Sequence, residues 1–204
     1  MNIISNNCAG AECYKLSNRE YNNPFMWTCI FALDMIQLVF HYHNIRWDKL
    51  SPVVLTSQIA ATNHYNRYKE NIPGLTIDNT FNVYFTHYLY DPVAKHPTKK
   101  GVDIYYYKNY EIGVKKYYKR ISRMLMDNEP PHFLIVAYSR HGWNINTLNQ
   151  LVQGNCDDKI TIITDELVTA KHSNTTIIYD PQLNTPYLES PRKVVEKYLT
   201  SIVC

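Results

Sequence analysis

Short and mostly apolar runs constrain the fold of this chain more than any other feature of its sequence. They span residues 133–138, 159–164 and 175–179. Such runs are typical of strands buried on both faces, as in a parallel sheet covered by helices. Helical patterns stand between or after them, at residues 110–126, at residues 146–153 and after Ser190-Pro191. The alternation predicts an α/β fold, which we expect to be a single domain over residues 1–204 with a largely parallel sheet flanked by helices.

The first half of the chain carries weaker signals of secondary structure. Polar residues and the Pro73-Gly74 pair predict a loop over residues 63–79. Apolar periodicity and helix-start residues predict the other elements of this half. They are a strand at residues 3–5 with a helix after it, a buried helix over residues 25–43, a helix over residues 51–61 and a strand at residues 81–85.

The composition is that of a globular protein. Hydrophobic residues make up 45% of the 204 residues and charged residues 19%, which argues against disorder. The net charge of +3 is too small to indicate a nucleic-acid partner. The longest apolar stretch, residues 25–42, is interrupted by Asp34, Gln37 and His41, so we expect no membrane span.

Cysteine usage bounds the cofactors and the compartment. The five cysteines are irregularly spaced and form no C-x-x-C pair, so neither a zinc site nor a redox motif is indicated. Glycine-rich phosphate-binding motifs are absent too, and we expect no metal and no cofactor. No secretory pattern opens the chain, which favours reduced thiols in the cytoplasm. The oligomeric state stays open.

The amino-terminal ten residues hold the leading candidate for chemistry. A short strand ends in Ser5, Asn6 and Asn7, and Cys8 then stands where a helix is predicted to begin. Unpaired amides at a helix N-terminus favour the thiolate, which is the nucleophilic form of cysteine. We therefore predict Cys8 as a nucleophile, with Asn6 or Asn7 as a donor to a developing oxyanion. The alternative is that Cys8 is a small buried hydrophobic residue.

A thiol nucleophile needs a base, and histidines follow two predicted strands. His87 is the leading partner, and His141 is its rival unless His141 is simply an exposed loop residue. Sites in α/β folds lie at the carboxyl ends of strands, which fits both positions. A third group would hold the tautomer of the imidazole. The candidates are Asp91, Asn144 and Asp165, of which we assign Asp165 to the catalytic set with Cys8, His87 and Asn7.

The helix over residues 110–126 carries a basic face. Arg120 and Arg123 have the spacing of a fork that binds an anion such as phosphate or a sugar acid. The alternative is an ordinary solvated face. We assign Asn6, Tyr88, Arg120 and Arg123 to substrate binding.

Two blocks of the sequence carry a resemblance to a known family. The first block is Ile3-Ile4-Ser5-Asn6-Asn7-Cys8-x-Gly10, Tyr14, Tyr21-x-x-Pro24-Phe25 and Asp34. The second is Val83-Tyr84-Phe85-Thr86-His87-Tyr88 with the later Arg120-x-x-Arg123. Together they resemble an uncharacterised bacterial and viral family that is associated with exopolysaccharide biosynthesis. A related group of predicted papain-like thiol peptidases also has a cysteine after its first strand and a later histidine. This resemblance implies Cys8 as nucleophile and His87 as base.

These observations lead to one expected function and two alternatives. We expect a cytoplasmic thiol-dependent hydrolase or transferase, with a Cys–His site, that acts on surface glycan or its precursors. The first alternative is a non-catalytic glycan-binding or assembly protein, in which the rings of the 18 tyrosines and 3 tryptophans stack on sugars. The second is a glycosyltransferase that uses a sugar nucleotide and no thiol chemistry.

Overall fold

The predicted α/β fold with a parallel sheet is confirmed. A computed structural model describes residues 2–26, 28–56, 71–77, 81–84, 110–188 and 190–203. A four-stranded sheet has the order β1-β5-β6-β7, and all of its neighbouring strands are parallel. Its strands are β1 (Asn2–Ser5), β5 (Pro131–Val136), β6 (Lys159–Thr164) and β7 (Thr175–Tyr179).

Helices cover both faces of this sheet because the buried residues of its strands alternate in direction. Ile3 packs into one hydrophobic core and Ile4 into the other, and Leu134 and Phe133 divide in the same way. The described helices are α1 (Ala9–Leu16), α2 (Ala32–His41), α3 (Tyr110–Asp127), α4 (Ile145–Gln153) and α5 (Pro191–Val203). The core that contains Ile3 and Leu134 also includes residues of helices α1 and α5. The core that contains Ile4 and Phe133 includes residues of helices α2, α3 and α4.

A second, antiparallel sheet corrects two of our predictions. It has the order β2-β3-β4, with strands β2 (Val53–Thr56), β3 (Asn71–Ile77) and β4 (Phe81–Tyr84). The predicted helix over residues 51–61 is wrong at β2, where Val53, Val54 and Leu55 favour a strand. The predicted loop over residues 63–79 is wrong at β3, whose register pairs residues 71–74 with β2 and residues 74–77 with β4.

The predicted helix over residues 25–43 begins later than its apolar pattern suggests. Asn23 Oδ1 accepts a hydrogen bond from Phe25 N, and Thr28 Oγ1 donates one to Phe25 O, so the chain turns instead of starting a helix. Cys29 then pairs with Tyr84 of β4 as an antiparallel bridge. Only α2, from Ala32 onward, is helical, because the preceding residues connect the two sheets.

Candidate functional site

Cys8 lies at the N-cap of α1, immediately after the carboxyl end of β1. Its backbone carbonyl accepts a hydrogen bond from Glu12 N at 3.0 Å, while its side chain makes no capping bond. The residue is partly exposed. The structure therefore places the predicted nucleophile at the edge of a parallel sheet where sites of α/β proteins lie.

The two asparagines before Cys8 hold the backbone of this turn. Asn6 continues the ladder between β1 and β5: its Nδ2 donates to Val136 O at 3.1 Å, and its Oδ1 accepts from Val136 N at 3.0 Å. Asn7 Oδ1 accepts from Ala9 N at 2.9 Å and satisfies one amide of the first turn of α1. Both amide groups are thus engaged by the backbone, which gives Asn6 and Asn7 structural roles.

Close packing of α1 on β1 fixes the direction of the same turn. A Cβ added at Gly10 would lie 3.0 Å from the Ser5 Cβ, so a larger residue would crowd the approach of the helix to the strand. Ser5 and Gly10 are both buried. The thiol of Cys8 is consequently carried on a rigid strand-to-helix junction.

The pKa of Cys8 is shifted in the direction opposite to our prediction. Burial of the thiol raises its pKa to about 12, the charge of Glu12 adds to the rise, and a backbone hydrogen bond lowers it slightly. Loss of hydration disfavours the charged thiolate more than the helix N-terminus favours it. At neutral pH the thiol is therefore protonated, with a thiolate fraction of about one part in 10⁵.

Glu12 is a buried carboxylate that our sequence analysis did not select. The residue is only 8% exposed, and its Oε2 has no hydrogen-bond partner. Its charge raises the pKa of Cys13 as well, after the larger effect of burial. The sequence signal that could have identified Glu12 is its position four residues after Cys8, because residues i and i+4 of a helix share one face.

A second thiol lies in the same region. Cys29 is 2% exposed, and the segment that carries it crosses the end of β1, where Ile30 N donates to Asn6 O at 2.9 Å. Burial, with a smaller effect of Cys8, raises the pKa of Cys29 to about 12, while Arg140 acts to lower it. Because this residue falls within the helix predicted over residues 25–43, the sequence alone did not indicate its proximity to Cys8.

His141, the rival base, is buried and not in an exposed loop. It ends a 3-10 turn (Ser139–His141) after β5, is 3% exposed, and its ring stands edge-on to those of Tyr138 and Phe31 at centroid distances of 5.8 and 6.3 Å. Burial lowers the pKa of His141 to about 3, with a smaller contribution from Arg140. A neutral imidazole with this pKa is a weak proton acceptor.

Two of the three candidates for an orienting third group, Asp165 and Asn144, have other partners. Asp165 Oδ2 accepts from Asn184 Nδ2 at 2.8 Å, and Asn184 Oδ1 accepts from Ser139 N at 3.1 Å, so the carboxylate links two loops at the carboxyl edge. Asn144 caps α4 and accepts from Asn146 N and Thr147 N. The catalytic role that we predicted for Asp165 remains a prediction.

Three predicted site residues, His87, Tyr88 and Asp91, lie outside the described residues. The last described residue of β4 is Tyr84, three positions before His87. Tyr84 exchanges backbone hydrogen bonds of 2.8 and 3.0 Å with Cys29. The strand that precedes His87 in the sequence therefore ends beside the segment that holds the second thiol.

Arg120 and Arg123 hold the backbone of residues 21–26 through hydrogen bonds to its carbonyl groups. Arg120 Nη1 donates to Met26 O at 3.0 Å, and its guanidinium lies 5.4 Å from the centroid of the Tyr21 ring. Arg123 Nη1 donates to Tyr21 O at 2.8 Å. Arg120 is buried, which corrects the view of this whole face as solvated; it follows Tyr117 by three positions and so falls on the buried side of α3.

No family model matches this chain, and no curated protein matches it significantly. Among the described residues, no helix has both the length and the apolar character of a membrane span. Within the same ranges, His, Cys, Asp and Glu side chains form no group of three that is suited to hold a metal ion.

Proposed function

We propose that this protein is a thiol-dependent hydrolase or transferase in which Cys8 is the nucleophile and His87 is the base. The observation that carries the proposal is the position of Cys8, a partly exposed residue whose side chain makes no capping bond at the junction of β1 and α1. The amides of the first turn of such a helix have no intrahelical partners and point toward its N-terminus. They are suited to stabilise an oxyanion, in place of the engaged side chains of Asn6 and Asn7.

The raised pKa of Cys8 determines how such a reaction would start. Because the thiol is protonated, Sγ must lose its proton to the His87 imidazole as it forms a bond to the substrate carbonyl carbon. The imidazolium then gives that proton to the leaving group as the bond to the leaving group breaks. Water or an acceptor hydroxyl releases the acyl group from Cys8, which makes the enzyme a hydrolase or a transferase.

The substrate class in this proposal rests on the sequence resemblance alone. Surface polysaccharide, its precursors or another glycoconjugate are the substrates that the resemblance of the first block implies. The non-catalytic alternative, a glycan-binding protein with a packed Cys8, is favoured by the raised pKa of the thiol. One experiment separates the two, because only the enzyme forms a covalent intermediate.

Trapping of an acyl group on Cys8 tests the proposal without a known substrate. We expect p-nitrophenyl acetate to acetylate Cys8 at neutral pH, as seen by peptide mass spectrometry. His87→Ala should slow this reaction at least about tenfold, since general bases contribute factors of about 10² to 10⁴. The matched control is His43→Ala, which removes an exposed imidazole that is bonded to Asp158.

The same experiment identifies the outcome that favours a binding protein. The proposal fails if Cys8 is not acetylated while the protein is folded, or if His87→Ala and His43→Ala react at the wild-type rate. Cys8→Ala must abolish the labelled peptide without unfolding the chain, which far-UV circular dichroism checks.

A further inference from the structure

A strongly basic cavity lies at the other end of α1 from Cys8. Its volume is about 450 Å³, within the range of small-molecule sites. Tyr14 and Tyr21 contribute aromatic surface to it, and Glu20 is the only carboxylate among the described residues that line it. Its positively charged lining residues are Lys15, Arg19, Lys116, Lys119, Arg120 and Arg123.

One wall of this basic cavity is formed by the turn that ends α1. Asn18 has a φ of 51°, and Arg19 N donates to Tyr14 O at 2.9 Å while Asn18 N donates to Lys15 O at 3.2 Å. These are the bonds of a Schellman motif, in which asparagine is a favoured substitute for glycine. The motif reverses the chain and brings Arg19 to the same cavity as Lys15.

A second wall belongs to α3 and is anchored by its two arginines. Their bonds to Met26 O and Tyr21 O hold the 20–26 segment against α3. Arg123 Nη2 also forms an ion pair of 2.9 Å with Glu20 Oε1. The only carboxylate among the described lining residues is thus already paired with an arginine of the same cavity.

The described residues that line this cavity carry more net positive charge than the chain as a whole. Among the described residues, six cationic side chains and one carboxylate line it, whereas the chain as a whole carries a net charge of +3, so the residues other than these seven are net negative. Like charges held together repel one another, and a bound anion relieves that repulsion. Lysine ammonium groups and arginine forks are the side chains that bind phosphate most often.

We propose that the basic cavity binds a small ligand with two or more linked phosphate groups, its charges divided between the α1 wall and the α3 wall. The site is independent of the thiol chemistry proposed above. Cys8 and Lys15 are seven residues apart on α1, a rise of about 10 Å along the helix axis. Loss of one site therefore leaves the other intact.

Calorimetric titration with inorganic diphosphate tests this inference. We expect saturable binding with a Kd of about 1 mM or tighter. Lys119→Glu on α3 and Arg19→Glu after α1 should each weaken binding at least about tenfold, because both side chains are exposed and line the cavity from different elements. The matched control is Lys171→Glu, an equal change of charge at an exposed residue between β6 and β7, which should leave the affinity unchanged.

Further ligands and variants decide what the cavity recognises. ATP that binds more tightly than inorganic triphosphate would show that a nucleoside adds contacts, and equal affinity would show that the phosphates suffice; both support the site. Sulfate should bind at least about tenfold more weakly than diphosphate if the cavity recognises two linked anionic groups. The inference is overturned if diphosphate does not bind, if sulfate binds equally well, or if Lys171→Glu weakens binding as much as Lys119→Glu. Cys8→Ser should bind diphosphate like the wild type.

Discussion

Between about pH 7 and about pH 4, we expect the wild-type protein to lose about 3 kcal/mol more stability than a His141→Phe variant. The imidazole of His141 has an ordinary pKa in the unfolded chain, but burial lowers its pKa to about 3 in the folded protein. As pH falls below the unfolded value, the unfolded chain binds a proton that the folded protein cannot bind. Stability is therefore full above about pH 6.5 and declines toward pH 3.

Urea unfolding at a series of pH values measures this acid lability. Phenylalanine suits the site because His141 stands between the rings of Phe31 and Tyr138. The carboxylates and His132, whose pKa burial also lowers, are present in both proteins, so their contributions cancel in the comparison. His43→Gln provides a control at an exposed histidine. Parallel curves of stability against pH for the wild type and His141→Phe would contradict the burial of a neutral imidazole at this position.

Asn6→Ala should destabilise the protein by about 3 kcal/mol at neutral pH. The side chain of Asn6 is fully buried and pairs with both the N–H and the C=O of Val136. Alanine would leave these two groups of β5 without the bonds that Asn6 makes, in a place that excludes water. Chemical denaturation measures the change as a shift of the midpoint at constant slope.

The control for Asn6 is the same substitution at a helix cap. Asn144 likewise makes two hydrogen bonds to the backbone, both accepted from N–H groups, but it is exposed at the start of α4, so Asn144→Ala should cost only about 1 kcal/mol. If Asn6→Ala costs no more than Asn144→Ala, then Asn6 does not hold the junction of β1 and β5. Its side chain would then be available for the substrate-binding role that we first predicted.

The elements that were predicted correctly are those whose signal is local. The apolar runs of β5, β6 and β7 each indicate a buried strand by themselves, and the 3.6-residue period of α3 is visible within 18 residues. Ser190-Pro191 marks the start of α5 for a similarly local reason, since proline is favoured in the first turn of a helix. The parallel pairing of β5 with β6 follows from α4, which connects them.

The elements that were missed depend on partners far along the chain. Pro73-Gly74 ordinarily indicates a loop, but Pro73 lies in the half of β3 that pairs with β2 and not with β4. There the missing N–H of proline is tolerated as it is in an edge strand. Cys29 was placed in a helix because its bridge to Tyr84 involves a residue 55 positions later. The proximity of Cys29 to Cys8 depends on that bridge, and no local sequence pattern indicates it.

The site was predictable in position but not in electrostatics. The first block of the sequence indicated that Cys8 follows a strand and begins a helix, and the structure has this arrangement. The ionisation of the thiol depends on what is packed around it, including Glu12 on its own helix and the segment of Cys29 above β1. Three-dimensional burial reverses the effect that the helix N-terminus alone would have.

The pH dependence of Cys8 alkylation tests most directly whether the folded protein keeps this thiol protonated at neutral pH. Iodoacetamide reacts with the thiolate, so the rate at Cys8, followed by peptide mass spectrometry, reports its ionisation. We expect the rate to rise about tenfold per pH unit from about pH 6 to about pH 9.5 without a plateau. At neutral pH it should be about 10³-fold below that of a free thiol. A plateau below pH 7, or alkylation at pH 6 faster than that of free cysteine, would contradict the account.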